Sequence, residues 1–78
     1  MPNVTIYTTP YCAFCKMAKA FFQEKQVQYT EKDVMTDMQA RDDMIKKSGQ
    51  LGVPVIDIDG KLVIGFDKPK ISELLGVK

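Results

Sequence analysis

Histidine is absent from the 78 residues, which excludes imidazole acid–base catalysis and histidine metal sites. No apolar run approaches the roughly 18 residues that a membrane span requires. Charge of one sign is not in excess: 11 basic residues face 10 acidic ones, and a net charge of +1 carries no nucleic-acid footprint. The opening Met1-Pro2-Asn3-Val4 is not a basic segment followed by a long apolar stretch, so no secretory leader is expected. The expected setting is then a reducing cytoplasm. Repeats, linkers and low-complexity tracts are missing too. What remains, with 45% hydrophobic residues and four prolines, fits one globular domain over residues 1–78 with a modest core.

Cysteine is scarce, and the two present stand together as Cys12-Ala13-Phe14-Cys15. Val4-Thr5-Ile6-Tyr7-Thr8 before them reads as a strand, and Lys16 to Gln26 after them has helical spacing. A thiol at the first turn of a helix meets unpaired backbone N–H groups and the positive end of the dipole. That setting favours the thiolate, the nucleophilic form. A close pair in a reducing compartment is more often catalytic or metal-binding than a structural staple, and a bridge closing so small a loop constrains the unfolded chain little. Cys12, the first and more exposed thiol, is expected to attack a substrate disulfide. Cys15, expected to be buried, then resolves the mixed disulfide. Lys16 and Lys19 are read as a solvated, screened helix face.

The remaining elements follow from periodicity and turn chemistry. A first strand is expected over 3–8 and a helix with Met17, Ala18, Phe21 and Phe22 on its apolar side. A second strand fits 28–34, and a second helix, capped by Thr36 or Asp37, runs from Met38 to Lys47 and ends at Ser48-Gly49. Two apolar runs flanking Asp59-Gly60 predict a hairpin with a type I′ turn. Asp67 is the expected N-cap of a last helix carrying Ile71, Leu74 and Leu75, with Pro69 in its first turn. The order βαβαββα implies an α/β fold with a parallel start and an antiparallel finish. Tyr7, Phe21, Phe22 and the methionines are assigned to the core.

Cys-x-x-Cys after a first strand, Val53-Pro54 before a hairpin and Gly65-Phe66-Asp67 before a final helix together resemble a glutaredoxin, over roughly residues 3 to 76. The stretch from Arg41 to Gly49 is similar to bacterial members, above all the small glutaredoxin-like proteins. Short redoxins that feed electrons to ribonucleotide reductase are a neighbouring type. The resemblance implies a thioredoxin fold, a four-stranded mixed sheet of order 2-1-3-4 flanked by three helices, acting as a monomer. It also implies a cis bond before Pro54, where the residues alone leave a trans proline open. A glutathione or peptide groove is implied as well: Arg41 toward the glycine carboxylate, the Val53 backbone along the peptide, and Phe66 and Asp67 toward the γ-glutamyl end. Tyr11, Phe14, Val53, Pro54 and Phe66 form an apolar rim for protein substrates in this reading. Against it stand a solvated Arg41, an Asp67 that only caps, and Phe14 and Phe66 in the core.

The chain departs from the family pattern in three places. Ala13-Phe14 stands where many members have Pro-Tyr, Thr9 replaces a lysine, and Lys68 replaces a second acid after Asp67. Two charges that hold glutathione are thus missing. The activity implied is thiol–disulfide exchange with no bound cofactor, on glutathione mixed disulfides or disulfide-containing proteins. Glutathione and thioredoxin reductase are the alternative electron sources. A zinc or iron–sulfur module is the rival from another class, and it requires a dimer because one chain supplies two thiolates.

Overall fold

The computed structural model describes residues 3–76. Met1, Pro2, Val77 and Lys78, included in the expected domain bounds and in the leader and core assignments, lie outside the described residues. The elements run β1 (Val4–Thr8), α1 (Ala13–Glu24), β2 (Thr30–Asp33), α2 (Met38–Ser48), β3 (Val55–Ile58), β4 (Lys61–Ile64) and α3 (Lys68–Leu75). The sheet order is β2-β1-β3-β4, with β1 parallel to β2 and the other two pairings antiparallel. This is the expected mixed sheet of a thioredoxin-like fold.

Alternation along the strands gives the sheet two buried faces. Val4, Ile6, Ile56, Ile58 and Val63 point to one side and pack against Ala18, Phe21 and Phe22 of α1 and Ile71 of α3. Tyr7 and Val55 point to the other, against Ala40 and Met44 of α2. Burying such side chains on both faces contributes about 1.5–3 kcal/mol each and holds the helices to the sheet.

The sequence signals for the termini are realised with small shifts. Helix α1 begins at Ala13 with Cys12 itself as its cap, so the cysteine pair stands at the first turn of the helix as expected. Strand β2 is shorter than 28–34: pairing with β1 spans Thr5↔Thr30 to Thr8↔Asp33, and the Val34 N–H closes the ladder on the Thr8 carbonyl. Of the two candidate caps of α2, Asp37 is the one used, accepting the Ala40 N–H at 3.1 Å. At the hairpin, φ is +52° at Asp59 and +87° at Gly60, as a type I′ turn requires. Asp67 caps α3 by accepting the Lys70 N–H at 3.3 Å.

The methionine assignment is corrected. Met44 is fully buried, but Met17, Met35 and Met38 are 50%, 56% and 57% exposed. Helix α1 buries Cys15, Ala18, Phe21 and Phe22, a stripe that Met17 lies beside rather than within. Met38 opens α2, beyond the reach of the sheet, and Met35 sits in the turn before it.

Candidate active site

The cysteine pair lies at the carboxyl end of β1, where the chain turns into α1. Cys12 has extended backbone (φ −92°, ψ 110°), and its Sγ accepts the Cys15 N–H at 3.1 Å. A thiol thus occupies the position that serine or aspartate usually fills at a helix start, facing the positive end of the dipole. The Cys12 N–H donates to the Thr9 carbonyl at 3.3 Å, and the Lys16 N–H to the Cys12 carbonyl at 3.2 Å. Both thiols are free; Cys12 is half-buried and Cys15 has no exposed surface. Burial and the hydrogen bond with Cys12 push the Cys15 thiol up to about 12, while the Thr9 backbone and Lys19 pull it down. An accessible sulfur and a buried, protonated one stand side by side.

Around this turn the structure distributes the other expected residues unevenly. Tyr11 is 85% and Phe14 60% exposed, so both aromatics flank the sulfurs in solvent. The Val53–Pro54 bond is cis, with Val53 half-buried and Pro54 buried. The Pro54 carbonyl accepts the Gly65 N–H at 2.8 Å. Among the described residues, no backbone hydrogen bond engages the Val53 N–H or C=O.

An apolar groove of ≈ 330 Å³ opens beside the turn, lined by Thr9, Val34, Met35, Met38, Arg41, Met44 and Leu51. It sits past the carboxyl ends of the parallel strands β1 and β2, where open α/β sheets receive ligands. Among the described residues lining it Arg41 alone is charged, and its guanidinium has no ion-pair partner among the described residues. Phe66 and Asp67 lie outside this groove. The Phe66 ring is half-buried and meets Phe21 edge-on, with centroids 6.1 Å apart, so it serves the core. Asp67 is exposed and spends one carboxylate oxygen on capping α3.

Lys19, expected on a solvated helix face, is partly exposed and is also held in an ion pair. Its Nζ lies 2.7 Å from Glu31 Oε2, which also accepts the buried Thr8 hydroxyl at 3.0 Å. The signal available in the sequence was the i, i+4 spacing from Cys15 to Lys19. Its partner on β2 emerges only from the register, which pairs Glu31 with Ile6. Among the described residues no group of three or more cysteine, aspartate or glutamate side chains gathers as a metal site. A zinc or cluster site on Cys12 and Cys15 needs ligands from a second copy.

Residues 4–63 match the family model described as glutaredoxin. The chain belongs to the glutaredoxin family. A glutaredoxin-like 8.6 kDa protein from the rubredoxin operon of Clostridium pasteurianum is 40% identical over 72 residues, 92% of this chain and 96% of that protein. Glutaredoxin 3 of Escherichia coli K12 is 40% identical over 67 residues, 86% of this chain and 81% of that one. Among solved structures, the T8A mutant of the thioredoxin-like protein BC3987 superposes with a TM-score of 0.93 at 32% identity, covering 100% of both chains. Within this glutaredoxin-family chain, Cys12 and Cys15 form the family's Cys-x-x-Cys motif.

Proposed function

We propose that the protein is a dithiol thiol–disulfide oxidoreductase acting through Cys12 and Cys15. The observation that carries the reading is the asymmetry of the two thiols: Cys12 is accessible at the helix cap, and Cys15 is wholly buried behind it. The Cys12 thiolate attacks a substrate disulfide, forming Cys12–S–S–substrate and releasing the other substrate half as a thiol. Cys15 loses its proton and attacks Cys12 Sγ, forming Cys12–Cys15 and expelling the second half. Two electrons pass from the dithiol to the substrate, and an external reductant restores the pair.

Protein disulfides are the favoured substrates. Support comes from the exposed Tyr11 and Phe14, the Val53 backbone groups, which have no backbone partner among the described residues and can pair strand-wise with an extended peptide, and the apolar groove that reaches the turn at Thr9. Glutathione is proposed as the co-substrate that returns electrons, held by its glycine carboxylate on Arg41, the one charged residue among the described residues lining the groove. A second reading, reduction by thioredoxin reductase, is favoured by two observations. Thr9 stands in the groove wall where the family pattern has a lysine, and Asp67 is already engaged by the Lys70 N–H.

The test follows NADPH consumption with a small disulfide acceptor under two reducing systems, glutathione with glutathione reductase and thioredoxin reductase alone. Turnover with glutathione supports the first reading; turnover confined to thioredoxin reductase replaces it with the second. Cys12→Ser is expected to abolish turnover in either system. Cys15→Ser is expected to accumulate covalent mixed disulfides with protein substrates, visible on non-reducing gels; undiminished reduction of a protein disulfide by that variant defeats the two-cysteine scheme.

A further inference from the structure

Resolution of the mixed disulfide requires ionisation of a thiol that the fold buries completely, at Cys15. A cation stands one helical turn away. Lys19 follows Cys15 at i+4 on α1, a spacing that puts side chains on one face. Its ammonium is not left to wander in solvent: Glu31 of β2 holds it at 2.7 Å, and Thr8, buried at the end of β1, donates to the same Glu31 oxygen at 3.0 Å. Three elements that meet at the redox turn therefore fix one positive charge.

We propose that Lys19, clamped by Glu31 and Thr8, is a positioning residue whose fixed positive charge eases deprotonation of Cys15 in the resolving step. The inference rests on the two-cysteine reading above. In the reduced protein Cys12 opposes the Cys15 thiolate and Lys19 favours it; in the mixed disulfide Cys12 is bonded and uncharged, so Lys19 is the ionisable group left acting on the Cys15 sulfur. The ionisable groups acting on Lys19 are Glu31, Tyr29 and Cys15. Glu31 holds the Lys19 pKa up, so the residue stays an ammonium through the working range and does not take the proton itself. The Cys15 proton passes to water or buffer, the Cys15 thiolate attacks Cys12 Sγ, the Cys12–substrate S–S bond breaks, and the expelled thiolate is protonated from solvent according to its own pKa.

Side chains four residues apart on a helix are neighbours, about 5–6 Å apart at Cβ, and unit charges at such a spacing in a dielectric of roughly 40 to 80 change a thiolate fraction about three- to tenfold. The probe is 5,5′-dithiobis(2-nitrobenzoate), followed by stopped flow on the reduced, full-length protein. The first nitrothiobenzoate reports attack by Cys12 and the second reports resolution by Cys15. Lys19→Met is expected to slow the second release about three- to tenfold at neutral pH and to move its pH midpoint upward, leaving the first release unchanged. Lys19→Arg, which keeps the charge, restores both. Glu31→Gln is expected to slow the second release although it removes a negative charge, because the ammonium loses its clamp.

An unaltered second-phase pH profile in Lys19→Met overturns the proposal, and a faster second phase in Glu31→Gln overturns the clamp. Cys15→Ser separates the two levels of inference. If that variant still releases the second equivalent in a single turnover, the two-cysteine reading fails, whatever Lys19 does.

Discussion

The two sulfurs differ by burial, and at the scale of single residues that difference governs reactivity. Water stabilises a thiolate far better than a packed interior does, so the buried Cys15 thiol, pushed up to about 12, stays protonated at neutral pH. Iodoacetamide at pH 7 is therefore expected to carbamidomethylate Cys12 and spare Cys15, with the second site labelled only after denaturation. Peptide mapping by mass spectrometry reads this directly, and equal labelling of the folded protein contradicts the assignment. Arg41 allows a second test. A carboxylate paired with its guanidinium gains about 1.5–3 kcal/mol, so Arg41→Ala is expected to lower kcat/KM with glutathione about tenfold or more. A thioredoxin-reductase-driven assay is expected to change little, because the reductase does not depend on that carboxylate.

Individual elements are held at their ends as much as along their faces. Asp37→Ala removes the cap of α2 and is expected to cost about 1 kcal/mol, measurable as a lower urea midpoint with an unchanged slope. Asp67 separates capping from ligand binding. Asparagine caps as well as aspartate, so Asp67→Asn is expected to keep the melting temperature. If the carboxylate also receives the γ-glutamyl ammonium, the same variant raises KM for glutathione; an unchanged KM reduces Asp67 to a cap. These ends were legible in the sequence because capping is local: Asp67 three residues before Lys70, Asp59-Gly60 between two apolar runs, Gly49 after the last turn of α2. The exposed methionines were not legible. Periodicity reports that Met17 and Met38 are apolar, but whether a sheet covers them depends on where each helix lands, and Met38 lands on an open groove. The ion pair of Lys19 was not legible for a related reason, since its partner Glu31 is twelve residues away and is brought alongside by the parallel register of β1 and β2.

Across the whole molecule, one polar clip fastens a helix to each face of the sheet. On one face Lys19 of α1 reaches Glu31 of β2, which takes the Thr8 hydroxyl of β1. On the other, Lys47 of α2 donates to the buried Tyr7 hydroxyl at 3.1 Å and pairs with Asp57 of β3 at 3.0 Å. A chain of this size has a total stability of about 4–12 kcal/mol, so even modest clips matter. Each clip also makes stability depend on pH, with a sign set by the direction of the shift. Hydrogen bonds from Lys19 and Thr8 hold the folded Glu31 carboxyl below its ordinary value. The folded protein therefore binds that proton less readily than the unfolded chain. The Glu31 contribution is complete above the unfolded carboxylate pKa, fades as pH falls through the interval between the two values, and is gone below the folded one. For Lys47 the shift is upward, caused first by the Tyr7 hydrogen bond and then by Asp57, so its contribution holds through neutral pH and is lost only as strongly alkaline pH passes the raised value. Urea unfolding of the wild type and Glu31→Gln at a series of pH values tests the first clip. The midpoints are expected to differ most near pH 7 and to converge as the solution is acidified past the carboxylate range. A difference that persists unchanged into strong acid means that Glu31 acts through packing, and that the charge on Lys19 does not hold α1 to the sheet.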